Sequence, residues 1–118
     1  MNNDMEHLDR DALSALQEIM EDEYPLLLDT FLEDSSKRLG QLHQASNAVD
    51  LGAAAHSFKG SSSNMGALRL AELCRQLEQL AAQSPRVGVE ELINQIDREY
   101  EVVRRFYESE RERFPVRP

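Results

Sequence analysis

The run "YPLLLDTFLEDSSKRLGQL", residues 24–42, decides the fold. Tyr24, Leu28, Phe31, Leu32, Ser35, Leu39 and Leu42 recur at i, i+3, i+4 and i+7, which lines one face of an α-helix. Pro25 falls in the first turn, where a missing backbone N–H removes no intrahelical bond. A stripe held for about five turns marks a long amphipathic helix that must bury one side against other elements.

The same period continues on both sides of this run. Upstream, Asp9 caps a short helix carrying Leu13, Leu16 and Ile19, which ends near the acidic cluster Glu21 to Glu23. Downstream, Asn47 with Asp50 three residues on reads as the cap of a third helix, although Asp is a weaker partner at that position than Glu or Gln. Gly66 stands where a helix end favours a left-handed residue, and Leu68, Leu70, Leu73, Cys74, Leu77, Leu80 and Ala81 form a fourth helix. "QSPRVG", residues 83–88, is the clearest loop. Beyond it Val89, Leu92, Ile93, Ile96, Tyr100, Val103 and Tyr107 describe a fifth helix. No segment alternates with period two long enough to be a strand, and there are no repeats. The predicted fold is therefore all-α, an antiparallel four-helix bundle with a short additional N-terminal helix. Residues 1–118 make one domain, with 1–7 and 114–118 expected to be mobile ends.

Composition narrows the function. At 118 residues the chain is too small for a nucleotide-binding enzyme with a separate substrate lobe. Its 22 acidic and 13 basic residues give a net charge of −9, which repels nucleic acid and anionic membrane surfaces, so the expected partners are proteins. No apolar run approaches the roughly 18 residues needed to span a bilayer, and "MNNDMEHLDRD" lacks the basic and apolar regions of a signal peptide. The expected location is the cytoplasm. Cys74, the one cysteine, sits among leucines at helical spacing and reads as a buried thiol.

Chemistry concentrates in "AAHSFKGSSSNMGA", residues 54–67. With about 100° per residue and His56 at zero, Leu51, Ala54, Phe58 and Met65 fall at about 160° to 220°, facing the core. Gly60 lies about 40° to one side of His56 and Lys59 about 60° to the other, with Gly52 and Ser63 between them. The wheel thus points His56 to solvent. A lone histidine on a helix is most often incidental, and a lone lysine is an ordinary solvated charge. The glycines change the balance, because a glycine inside a helix costs roughly 0.5–1 kcal/mol relative to alanine. Imidazole is largely neutral at pH 7, its ordinary pKa being about 6.5, so one ring nitrogen offers a lone pair able to attack phosphorus. Lys59 at i+3 can offset phosphoryl charge, and Gly60 at i+4 leaves room for an incoming partner.

The twelve residues "HSFKGSSSNMGA" resemble the signature of the histidine-containing phosphotransfer (HPt) family: His, any residue, apolar, Lys, Gly, Ser, small, any residue, Asn, apolar, Gly, Ala. The resemblance extends from "LDRDALSALQEIMEDEYPLLLDTFLED" to "LRLAELCRQLE" and is strongest with short stand-alone members. It implies that His56 is a phosphoacceptor, supported by Lys59 and Gly60. His56 would take a phosphoryl group from an aspartate in the receiver domain of a hybrid histidine kinase and pass it to a response-regulator aspartate. Mg2+ and the acidic pocket would come from those receivers, with no cofactor or metal bound by this chain, which is expected to act as a monomer. Gly52, Ser63, Ala67, Lys37 and Arg38 are the candidate docking residues.

Other readings fit less well. A histidine-kinase phosphoacceptor helix usually has an acidic residue after the histidine, where Ser57 stands, and no length remains for an ATP lobe. A receiver needs strands ending in aspartates. A di-iron bundle needs Glu-x-x-His pairs, but Gly40, Ala53 and Asp4 precede His43, His56 and His7 by three residues. His43, at the edge of its helix's core stripe, reads as structural. The main rival is a helical interaction module that sequesters a regulator without chemistry, and an acid-labile, base-stable phosphate separates the two.

Overall fold

The structure, a computed structural model, describes residues 7–83 and 87–114. In chain order these form α1 (Arg10–Met20), a 3-10 turn (Glu21–Glu23), α2 (Tyr24–Gln44), α3 (Ala48–Asn64), α4 (Leu68–Ala81) and α5 (Val89–Glu112). There is no strand among the described residues. Helices α2 to α5 close a ring in which α3 packs on α2 and α4, and α5 packs on α4 and α2. Short connections between successive helices make them antiparallel neighbours, and α1 lies against the start of α2.

The helix ends follow from side-chain chemistry. Asp9 Oδ1 accepts from the Ala12 backbone N–H at 3.0 Å and opens α1. Asn47 Oδ1 accepts from the Asp50 N–H at 2.8 Å, while its amide donates to the Asp50 carboxylate at 3.0 Å. The Asp50 side chain is therefore held by the Asn47 amide, and the pair joins two side chains at the start of α3. Gly66, at φ +78°, takes the left-handed conformation just beyond α3. Its carbonyl accepts from the Asp9 N–H at 2.7 Å, which ties the α3–α4 corner to the start of α1. A Cβ on Gly66 would stand 3.0 Å from the Asp9 carbonyl oxygen, so the same close approach requires glycine twice over.

The core fills the ring. Tyr24, Leu28, Phe31, Phe58, Leu70, Leu77, Ile96, Val103 and Tyr107 are buried, with Phe31 meeting Tyr107 edge-on at 4.9 Å. Tyr107 donates its hydroxyl to the Met65 carbonyl at 2.5 Å, satisfying both polar groups inside the bundle. Cys74 is buried as expected, and desolvation pushes its thiol up to about 12.

Ile19 and Leu68 lie on the helices expected for them, and the structure adds what covers the edges of the bundle. Ile19 is exposed, because α1 is short and turns only Leu13 fully inward, with Leu16 partly covered. Leu68 is also exposed, at the first position of α4 before its core stripe begins. His7 and Phe114, expected in mobile ends, both pack. His7 Nδ1 lies 2.7 Å from Glu99 Oε2, a carboxylate only 4% exposed that also has Arg69 Nε at 3.5 Å. Phe114 meets Tyr24 edge-on at 5.3 Å. The rest of those ends, residues 1–6 and 115–118, and residues 84–86 of the expected loop lie outside the described residues.

Candidate functional site

Helix α3 divides into two faces. Leu51, Ala54, Ala55, Phe58 and Ser62 point into the bundle, and the side chain of His56 is 65% exposed on the opposite side. Gly60, one turn on, faces open space: a Cβ there would meet nothing within 4 Å. Ser63 continues the same exposed strip. The fold has no packing need for a glycine at position 60, so the helix carries its propensity cost without internal return.

Helix α4 supplies a residue that sequence reasoning missed. Glu78 Oε2 lies 2.8 Å from His56 Nδ1, and its other oxygen accepts from Lys59 Nζ at 2.7 Å. Its carboxyl is held below the usual carboxylate range. The Lys59 hydrogen bond is the largest cause, partial desolvation works against it, and the His56 hydrogen bond and the two nearby charges add to the lowering. An ionised carboxylate only accepts hydrogen bonds, so the ring nitrogen facing Glu78 carries the proton. His56 Nε2 is then left with its lone pair, and it makes no hydrogen bond among the described residues.

A signal for Glu78 does exist in the sequence. Where two antiparallel helices meet at a tight corner, residues equally distant from the corner lie at the same height. From Ala67 at the corner, His56 is 67 − 56 = 11 residues back and Glu78 is 78 − 67 = 11 residues forward. Glu78 also flanks the buried stripe of α4, three residues before Ala81 and four after Cys74, which turns it toward the α3 side.

The docking candidates separate. Gly52 is half-buried beside Ala81, whose Cβ would lie 3.8 Å from a Cβ at position 52. It lines an apolar depression with Val49, Ala53, Ala81 and Ala82 that reaches Glu78. On the other flank Lys59, Gly60 and Ser63 of α3 share a depression with Ala71 and Arg75 of α4. Arg38 lines a third, against Ala53 and Ser57 of α3, and donates to Gln41 at 3.3 Å. Lys37 is exposed and paired with Glu33 at 3.6 Å, and no contact brings it to the histidine. Ala67 is corrected outright: it is fully buried, because the left-handed Gly66 turns the chain inward before α4 begins, so it has no surface for a partner.

The remaining histidine is structural in its contacts: His43 Nε2 lies 2.8 Å from Asp97 Oδ1, across α2 and α5. No group of three His, Cys, Asp or Glu side chains is placed to hold a metal ion among the described residues. No helix among them is long and apolar enough to cross a membrane.

A family profile, described as the Hpt domain, matches residues 26–106, a span that contains His56, Lys59, Gly60 and Glu78. The chain belongs to the Hpt family. A similar solved structure is the crystal structure of histidine-containing phosphotransfer protein B (HptB) from Pseudomonas aeruginosa PAO1. It is 50% identical over 92% of this chain and 97% of that one, with a TM-score of 0.89. A search among curated proteins finds no match. Membership makes this a histidine phosphotransfer protein of two-component phosphorelays. Hpt proteins lack kinase activity of their own and interact with receiver domains.

Proposed function

We propose that this Hpt protein is a relay intermediate in which His56 takes a phosphoryl group from the receiver domain of a hybrid sensor kinase and gives it to the receiver of a response regulator. The observation that carries this reading is the exposed imidazole whose Nδ1 is held by Glu78 while Nε2 is bare.

The chemistry follows from that geometry. Nε2 attacks phosphorus of an aspartyl phosphate in line with the bond to the carboxyl oxygen. The N–P bond forms, the P–O bond breaks, and the aspartate leaves as a carboxylate with the electron pair. The ring becomes a phosphorylated imidazolium whose remaining N–H, at Nδ1, faces Glu78. The second transfer is the same step reversed, with a different aspartate as the nucleophile. Lys59, one turn from His56, supplies positive charge near the phosphoryl oxygens, and the bare backbone at Gly60 lets a receiver approach closely. Mg2+ and the acidic pocket are contributed by the receivers. Gly52, Ser63 and Arg38, which flank His56, are proposed docking positions.

A two-step transfer experiment tests the proposal. The full chain is mixed with a radiolabelled phosphorylated receiver domain of a hybrid kinase, reisolated, and mixed with an unlabelled response-regulator receiver. Label should move onto the chain as acid-labile, base-stable phosphate and then leave for the second receiver. A stable complex with a receiver and no label on the chain would support the sequestering module instead.

A further inference from the structure

We propose that the corner between α1 and α2 is a second docking surface, separate from the His56 face, and that it takes a basic amphipathic helix of a partner protein. The inference goes beyond phosphoryl transfer and does not depend on it.

Charge is divided unevenly along this chain. Residues 9–34, which span α1, the 3-10 turn and the first half of α2, carry nine acidic side chains and one basic one, Arg10. Residues 35–118, more than three times as many, carry eleven acidic and twelve basic ones. The negative field of the protein therefore issues mainly from one corner. It attracts a cationic partner and repels nucleic acid, anionic membranes and the same corner of a second copy. Much of that charge is uncommitted, since Glu18, Glu21 and Glu23 are exposed and form no ion pair among the described residues.

Within this field stand two of the four most exposed large apolar side chains among the described residues, Ile19 at 75% and Leu26 at 65%. A single exposed leucine is ordinary. These two flank the three-residue turn, Ile19 beside Glu18 in the last turn of α1 and Leu26 in the first turn of α2, three residues from both Glu23 and Asp29. The turn itself adds a third sign. Glu21 holds φ +49°, a left-handed conformation that glycine takes freely and glutamate rarely adopts. Its side chain makes no hydrogen bond among the described residues, so the fold bears that strain without internal return and presents an outward carboxylate.

An apolar pair set among unpaired carboxylates matches a helix that carries lysine or arginine around its own apolar side chains. Burial of the apolar groups supplies affinity, and the charges supply direction. None of the depressions around His56 contains a residue of 9–34, so a partner helix can stay on this corner while a receiver reaches the histidine. Such a tether raises the effective concentration of any receiver joined to the same helix.

The test is a titration of the nitrogen-15-labelled full chain with a synthetic helical peptide of lysine and leucine, its leucines on one face. Backbone amide signals of residues 15–29 should shift, and those of residues 52–63 should not. A peptide with serine in place of each leucine should bind at least about tenfold more weakly, which corresponds to about 1.4 kcal/mol of lost apolar contact. The folded double variant Ile19→Ser/Leu26→Ser should show the same loss toward the leucine peptide. Glu21→Gly should be at least as stable as wild type in urea, because glycine relieves the left-handed backbone, and should still bind the peptide more weakly. Phosphohistidine formation from a phosphorylated receiver domain should be unchanged in both variants. Shifts centred on His56, or scattered over every acidic side chain, overturn the proposal. So does equal binding of the serine peptide, or undiminished binding by either variant. Shifts at Ile19 and Leu26 that follow protein concentration without peptide assign the corner to self-association and overturn it too.

Discussion

At His56 the chemistry depends on which ring nitrogen keeps its proton, and at Gly60 on what is absent. The glycine sits mid-helix in open space, so Gly60→Ala is expected to stabilise the domain by about 0.5–1 kcal/mol, because alanine loses less backbone freedom on folding. Gly60→Leu should fold nearly as well, since leucine has high helix propensity and nothing at this position to clash with. Phosphoryl transfer should move the opposite way, falling slightly for alanine and severely for leucine. Denaturant unfolding and transfer rates, measured side by side, check the split. A leucine variant that transfers at the wild-type rate would show that close approach is not what the glycine serves. These residues were legible from the sequence because all of them lie on one helix, where a 100° step fixes relative direction. Glu78 was less legible because it comes from another helix, and the link runs through the corner at Ala67 rather than along the chain. Ala67 itself misled for a related reason: it belongs to the signature, yet the turn at Gly66 takes it off the exposed face.

Among the helices, the corner between α3 and α4 matters most, since it sets the register that brings Glu78 level with His56. Gly66→Ala forces a side chain into left-handed backbone and against the Asp9 carbonyl, and it is expected to cost about 1–2 kcal/mol or more. It should also loosen α1, whose Asp9 N–H bonds to Gly66. Asn47→Ala removes a cap at the far end of α3 and should cost about 1 kcal/mol without that second effect. Urea unfolding compares the totals, and hydrogen exchange at the Asp9 amide separates the two variants. Equal protection of Asp9 in both would contradict the coupling of corner to α1. The helices themselves were readable from periodicity and caps, because each stripe is long and each cap is a local side-chain bond. The exposed Ile19 and Leu68 were not, because an apolar residue at a helix end keeps the period whether or not a neighbour covers it.

Over the whole molecule, burial stores a pH dependence at the alkaline end. Desolvation raises the Cys74 thiol to about 12 from its ordinary 9.0, and it also raises the phenols of Tyr107, Tyr24 and Tyr100, with the Glu110 hydrogen bond adding to the effect at Tyr24. The folded chain keeps these protons after the unfolded chain has released them. Their contribution to stability is therefore complete below pH 9 and declines as pH rises, by up to about 1.4 kcal/mol per pH unit for each group. Between pH 9 and 10 the thiol acts first, so Cys74→Ala should flatten the decline in that interval and leave the steeper loss above it. Unfolding free energies between pH 8 and 11 check this, and an unchanged slope in the variant would contradict it. The packing of His7 on Glu99 and of Phe114 on Tyr24 belongs to this scale too. Each joins residues about ninety positions apart in the sequence, a distance over which helical periodicity carries no information.

The central claim is that His56 carries the phosphoryl group, and locating the phosphate tests it most directly. The full chain and His56→Gln are each incubated with a phosphorylated receiver domain and mapped by mass spectrometry under alkaline conditions that preserve phosphohistidine. The account predicts one phosphate per wild-type chain, on His56 and lost in acid, and none on His56→Gln, whose stability should lie within about 0.5 kcal/mol of wild type because the ring is exposed. Phosphate on the folded variant, or on any residue of the wild type other than His56, would contradict it.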